Sequence, residues 1–193
     1  MTSAWVGERV RLRGAEPGDW EAFAAFDSFS DDQRNGWLVT PPRSAERARA
    51  WARELAEQDP DFDEFRLVIA DVRDDAPVGM INTHHADRLH GTFSYGVAVG
   101  NPHQRRGYAS EAVALLLRYM FGERRFQKCD IEVYASNEGS LELHGALGFV
   151  TEGRRRRSRY AAGRYEDVVL LGITAEEFRA ADRRSGAGGP ATG

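Results

Sequence analysis

Cysteine is nearly absent from this chain. Cys129 is the one cysteine among 193 residues, so an internal disulfide is excluded, and no Cys/His cluster has the spacing of a zinc site. Cys129 falls in the apolar-rich segment KCDIEVYA, which favours a buried thiol over a nucleophile. Long hydrophobic runs are absent as well. Without a stretch of about 18 apolar residues, no transmembrane helix and no membrane partner are expected. The opening MTSAWVGERVRLRG has no basic segment followed by an apolar core, which argues against a signal peptide and for a cytoplasmic protein. A large charge excess is missing too: the net charge of −4 disfavours a nucleic-acid partner and suits cationic, amine-bearing substrates. No internal repeat is visible.

What is present fits one domain with one core: 41% hydrophobic and 29% charged residues over 193 positions. Arg9–Gly14 alternates and reads as a strand. Asp19 is placed to cap a helix carrying Trp20, Phe23 and Phe26. The stretch from Ser30 to Arg43 is polar and turn-rich and reads as a loop. Ser44 caps a second helix with Ala48, Trp51 and Leu55 on one stripe. Then FRLVIADV (65–72), VGMINTHH (78–85) and TFSYGVAV (92–99), separated by short turns, read as an antiparallel meander. The longest helix follows at Tyr108–Glu123, with apolar residues at helical spacing. After it come a strand at Lys128–Ala135, a short helix from Asn137 to Leu147, and two strands, Phe149–Arg156 and Val168–Thr174. A strand, a long helix and another strand imply a parallel crossover within a sheet that is otherwise antiparallel.

The most informative segment is Gln104–Arg105–Arg106–Gly107–Tyr108–Ala109, between a strand and a helix. Such a turn aims several backbone N–H groups at one point, and the helix dipole adds partial positive charge. Gly107 permits close backbone approach, while Arg105 and Arg106 add charge. The result is an anion cradle suited to a pyrophosphate. It is neither a Walker loop, since no Gly-Lys-Ser/Thr follows, nor a dinucleotide fingerprint, since two glycines are missing.

The same segment resembles the acyl-CoA pyrophosphate loop of the GNAT acetyltransferases, written Q/R-x-x-G-x-G/A. SYGVAVGNPH before it resembles that family's central strand, and SEAVALLLRYMF after it resembles the main helix. YASNEGSLELHGALGFVTEGRRR resembles the stretch N-x-x-S/A…L-Y-E-K-L-G-F-x-x-E-G, GRYEDVVLLGI the closing G-x-Y-x-D strand, and VRLRGAEPGDW the opening one. In order, these cover roughly residues 9–178, and the subgroup of ribosomal-protein N-terminal and polyamine acetyltransferases is the most similar. The resemblance implies an α/β (α+β) GNAT fold. That is a mixed, mostly antiparallel seven-stranded sheet with a parallel, splayed central strand pair flanked by helices. It implies a domain over 1–180, leaving 181–193 as a tail whose SGAGGPATG composition suggests disorder. It also implies acetyl-CoA as cosubstrate, no metal, and acetyl transfer to a primary amine by direct attack in a ternary complex. Homodimers are common in the family.

Residue by residue, the resemblance gives main-chain contacts to pantetheine from Val97 and Val99, and pyrophosphate contacts from Gln104 to Ala109. Asn137, and with it Ser140, comes at the helix start that meets the cofactor arm. Asn137 also reads as a plain helix cap, which is compatible. Gly96 marks either a bulge that helps the strands splay or a packing glycine. The family's thiolate proton donor is the tyrosine of L-Y-E-K-L-G-F. Here Leu143–His144–Gly145–Ala146–Leu147–Gly148–Phe149 puts His144 in its place, with Ser140 as second candidate. The base is open among Glu132, Tyr134, His84, His85 and Asp87, with water as relay. Trp37, Phe62, Phe65 and the loop from Ser30 to Arg43 are expected to shape the acceptor side. Two other readings remain: a non-catalytic module that senses a CoA thioester, and an RNA-associated protein using the Arg154–Arg157 and Arg159 run.

Overall fold

In the computed structural model, which describes residues 3–36 and 38–186, the first strand β1 is Val10–Arg13. Three helices follow: α1 (Trp20–Phe26), α2 (Ser30–Gly36) and α3 (Ala45–Ala56). The meander is β2 (Arg66–Asp71), β3 (Pro77–Asp87) and β4 (Thr92–Val99). Then come α4 (Tyr108–Gly122), β5 (Lys128–Tyr134), α5 (Glu138–Ala146), β6 (Val150–Ala161), β7 (Arg164–Thr174) and α6 (Ala175–Gly186). All seven strands form one sheet in the order β1-β2-β3-β4-β5-β7-β6. Every neighbouring pair is antiparallel except β4 and β5, which α4 joins as a parallel crossover.

The core explains why these segments take these forms. Alternation in β5 buries Cys129, Ile131 and Val133, while Asp130 and Glu132 face outward. Helix α4 is apolar nearly all round: Ala112, Val113, Leu115, Leu116, Leu117, Met120 and Phe121 are buried between the sheet and neighbouring helices. Ser44 caps α3 as its sequence indicates, its hydroxyl accepting the Arg47 N–H at 3.1 Å.

Two features depart from the sequence reading, and at Gly96 the structure selects one of the two alternatives. Ser30–Gly36, read as loop, is helical although it buries no side chain. It is held by Asp32, which accepts the Asn101 N–H at 3.0 Å and Gln104 Nε2–H at 2.9 Å. A final helix, α6, runs six residues past the expected boundary at 180, and Phe178 anchors it in the core. The rest of the expected tail, and Trp37, lie outside the described residues. Gly96 is not a bulge. It sits in regular register opposite Asn82, where a Cβ would come within 3.1 Å of the Asn82 amide oxygen. The irregularity of that hairpin lies instead between His84 and Asp87, where His85 has φ +52.

One polar cluster fixes the start of α4 against the β2–β3 turn. The Asp71 carboxylate accepts two bonds from the Arg73 guanidinium, at 2.6 and 3.0 Å, and one from the Tyr108 hydroxyl at 2.5 Å. Arg73 first, then Tyr108, holds this carboxyl well below the usual carboxylate range. A depressed carboxyl stabilises the fold above its ordinary pKa of about 3.9, and that contribution is lost as pH falls below it. Urea midpoints measured from pH 6 to 2 should therefore fall more steeply for wild type than for Asp71→Asn. Parallel acid limbs would show that the cluster does not contribute in this way.

Candidate active site

Beta strands β4 and β5 pair only at their first two positions, Thr92 with Lys128 and Phe93 with Cys129. Beyond these they diverge, opening a cleft of 480 Å³ between them. The Gly100 N–H donates to the Val78 carbonyl, so it points toward β3. By the two-residue alternation of a strand, the amides of Val99 and Val97 point the other way, into the gap that β5 leaves. These are the two residues expected to offer main-chain bonds. The Val97 side chain lines the cleft, whereas that of Val99 packs against the core.

Where β4 ends, a short turn leads into the predicted anion loop. Arg105 and Gly107 both have positive φ, +60 and +81, and Gly107 immediately precedes α4. The first intrahelical bond is Glu111 N–H to the Gly107 carbonyl, at 3.1 Å. The N–H groups of Tyr108, Ala109 and Ser110 thus have no intrahelical acceptor, and no side chain caps the helix. Arg105 and Arg106 flank this end, exposed. Gln104 and Tyr108 contribute differently from the expectation that the whole segment faces a ligand. The Gln104 amide is engaged with Asp32 and with the Val99 carbonyl at 3.1 Å, and the Tyr108 ring is buried against Asp71. Tyr108 can still offer its backbone N–H, whereas the Gln104 N–H donates to the Asn101 carbonyl at 3.3 Å. Past the loop, a groove lined by Arg9, Arg106 and Gly107 continues over α4.

On the far wall, Asn137 caps α5, its Oδ1 accepting the Ser140 N–H at 3.1 Å, and the residue lines the cleft. His144, one turn later, is 3% exposed. Its Nδ1 is 2.6 Å from the Ser140 carbonyl oxygen, which can only accept, so the ring's proton resides on Nδ1. Ser140 Oγ is 3.2 Å from the same nitrogen. His144 Nε2 therefore carries the lone pair in the neutral ring. It is buried and without a hydrogen-bond partner. Burial pushes the imidazole pKa down, keeping it uncharged at neutral pH. Proton donation by His144, the role expected from its position, would need the charged ring that burial opposes.

Tyr95 was not among the expected site residues. It projects inward from β4 into the same cleft, 6% exposed, with its ring 5.8 Å from that of His144 and its hydroxyl unpartnered. The signal for it was the strand alternation: Phe93, Tyr95 and Val97 share a face, and an inward tyrosine needs a partner for its hydroxyl.

Of the five candidate bases, His84, His85, Glu132 and Tyr134 line the cleft, while Asp87 is bonded to His90 at 2.8 Å. Glu132 is ion-paired with Arg155. His84 is half-buried, and burial holds its pKa down. The arginine run is also largely neutralised within the fold. Arg154 pairs with Asp167 at 2.7 Å, and Arg159 pairs with Glu166 and lies over the Tyr134 ring. Arg156 and Arg157 are exposed beside these pairs. Phe65 packs in the core against Trp5 and Tyr119, and Phe62 is exposed under Arg124; neither lines the cleft. Among the described residues, no group of three metal-binding side chains is found and no helix is long and apolar enough to cross a membrane.

Comparison with known proteins gives a consistent result. The model of the GNAT acetyltransferase domain matches residues 9–150. A prophage-derived uncharacterized N-acetyltransferase of Bacillus subtilis (strain 168) is 39% identical over 175 residues, covering 90% of this chain and 94% of that protein. Spermidine N(1)-acetyltransferase of Vibrio cholerae is 25% identical over 115 residues, 60% of this chain and 66% of that one. Among solved structures, the Vibrio cholerae spermidine N-acetyltransferase in complex with CoA and spermine superposes with a TM-score of 0.74 at 21% identity, covering 90% of this chain and 99% of that one. A GCN5-related N-acetyltransferase from Brucella melitensis superposes with a TM-score of 0.77 at 23% identity, covering 95% and 83%.

Proposed function

This chain belongs to the GNAT acetyltransferase family, and from that premise we propose that it moves the acetyl group of acetyl-CoA to a primary amine by direct attack in a ternary complex. The observation that carries this reading is the divergence of β4 from β5 after Phe93 and Cys129. It leaves a row of strand amides facing a slot that ends at an uncapped helix N-terminus. The residues fit the cosubstrate: amides at Val97 and Val99 suit an extended amide-bearing arm, and the Gly107–Ser110 backbone with Arg105 and Arg106 suits a pyrophosphate. When bound, acetyl-CoA supplies the activated acyl carbon.

The chain's own residues do the rest. Asn137 orients the arm through its side-chain amide. Ser140 offers its hydroxyl proton to the cleft, its Oγ lying 3.2 Å from His144 Nδ1. The acceptor amine enters past His84 and His85. We assign His84, kept neutral by burial, to draw the ammonium proton away through water. The acceptor is proposed to be a small amine, since the matched relatives include a spermidine acetyltransferase.

Two measurements test the reading. Saturating acetyl-CoA should raise the melting temperature, because only the folded state has the slot, and NAD and ATP should raise it less. A larger shift with NAD contradicts the assignment. A panel of amines assayed by free-thiol release should give turnover. Binding of acetyl-CoA with no turnover on any amine would make the chain a thioester-holding module instead.

A further inference from the structure

Among the described residues, two buried side-chain polar atoms lack a hydrogen-bond partner: Tyr95 Oη and His144 Nε2. Both belong to cleft residues whose rings are neighbours, and they are complementary, one a hydroxyl that must donate, the other a bare nitrogen that can only accept. Buried polar groups are almost always satisfied, and leaving one unmade is costly. Two such groups, side by side in a cleft wall, mark the place where a ligand atom able both to accept and to donate belongs. A thiol is such an atom: its sulfur accepts a hydrogen bond and its S–H gives one.

We propose that Tyr95 protonates the departing sulfur in this enzyme, and that His144 Nε2 then receives the S–H of the product. The assignment rests on the acetyltransferase reading above. It follows from the chain's own protons. His144 has its proton committed to the Ser140 carbonyl, so Nε2 has none to give. Tyr95 carries its proton on an oxygen with no other acceptor. In the step, the Oη–H bond breaks and an S–H bond forms. The C–S bond breaks as the S–H bond forms, and the amine's surplus proton leaves to water on the acceptor side. Burial, which raises the Tyr95 pKa, makes the phenolate short-lived and drives it to take a proton back from solvent as the cleft empties, so charge balances over a cycle. The ring itself is held in place by Phe149 and His144, which explains why the hydroxyl can go unpartnered without the side chain being displaced.

The test separates sulfur recognition from turnover. Wild type, Tyr95→Phe and Ser140→Ala are titrated calorimetrically with CoA and with desulfo-CoA, and kcat and KM for acetyl-CoA are measured with the best amine. Wild type should prefer CoA over desulfo-CoA by about fivefold or more, and Tyr95→Phe should lower that preference, leaving the part due to His144 Nε2, while binding desulfo-CoA as wild type does. Its kcat should fall by at least about 30-fold with little change in KM. Ser140→Ala should keep the sulfur preference. The melting temperature of Tyr95→Phe should be unchanged or higher, since the lost hydroxyl made no bond; a hydroxyl with only a structural role predicts a loss. A Tyr95→Phe variant with the wild-type sulfur preference and kcat overturns the assignment and leaves the acetyltransferase reading intact. A wild type that binds CoA and desulfo-CoA equally overturns it too. A wild type with neither CoA binding nor turnover overturns the reading on which it rests.

Discussion

Gly107→Asp should weaken CoA binding at least about tenfold, roughly 1.4 kcal/mol, in a protein that still folds. Gly107 has φ +81, a conformation in which Asn and Asp are the best-tolerated side chains after glycine. There is room for a Cβ, whose nearest neighbours would be Arg9 Cδ at 3.6 Å and Nε at 3.7 Å. An aspartate just before α4 also interacts favourably with the helix dipole, so stability should hold or rise while affinity drops. That opposition is diagnostic, because the same carboxylate that suits the bare helix end repels a pyrophosphate there. Gly107→Asn matches the aspartate in size without its charge, so it should cost clearly less. The gap between the two should narrow at high salt, as repulsion between exposed charges is screened. Calorimetry on all three proteins decides the matter. Wild-type affinity in the aspartate variant would mean that the cofactor's anion lies elsewhere.

Glu111→Ala should destabilise the fold by about 2–3 kcal/mol, because one carboxylate satisfies three successive backbone donors. Glu111, in the first turn of α4, accepts the N–H groups of Glu8, Arg9 and Val10 at 2.7, 2.8 and 2.9 Å. Val10 is fully buried, so at least its N–H has no water to turn to. Gly7 lies so close that a Cβ there would be 2.6 Å from the Glu111 carboxyl carbon, which shows how tightly the segment wraps the side chain. For a chain of this size the loss corresponds to a fall in Tm of roughly 4–12 °C. Glu111→Gln keeps one acceptor oxygen and should fall between. If alanine changes Tm by less than about 1 °C, the hairpin bonds of the segment itself, Gly7 N–H to Val10 at 2.8 Å and Leu12 N–H to Trp5 at 2.8 Å, hold it without help.

The elements that were legible in the sequence share a physical property: their own side chains specify them. The boundaries of β4 and the start of α4 at Tyr108 coincide with the expected ones, because period-2 and period-3.6 burial are written into the residues themselves. The cap at Ser44 and the cap at Asn137 were equally local. Helix α6 was missed although its signal was present: Thr174 and Glu177 form a capping box, with Glu177 Oε2 accepting the Thr174 N–H at 2.8 Å. Helix α2 had no such signal. Its six polar residues and one glycine form a helix because Asp32 finds donors on the loop at Asn101 and Gln104, 69 and 72 positions away in sequence.

The candidate site divides along the same line. By itself, the sequence determined the glycine turn before α4, the strand β4 ahead of it and the family, since each of these depends on residues adjacent in the chain. It also placed His144 where a tyrosine is expected. Only the tertiary structure decided which proton His144 carries, because that follows from the Ser140 carbonyl 2.6 Å away and from burial. It alone paired off the arginine run with Asp167, Glu132 and Glu166, which strand pairing brings alongside. And it alone set Tyr95 beside His144, because β4 and α5 meet only after the long crossover through α4 has returned the chain to the sheet. A side chain's chemistry is written in its own residue, but the partners that give or withhold its proton are set by contacts between residues far apart in the chain.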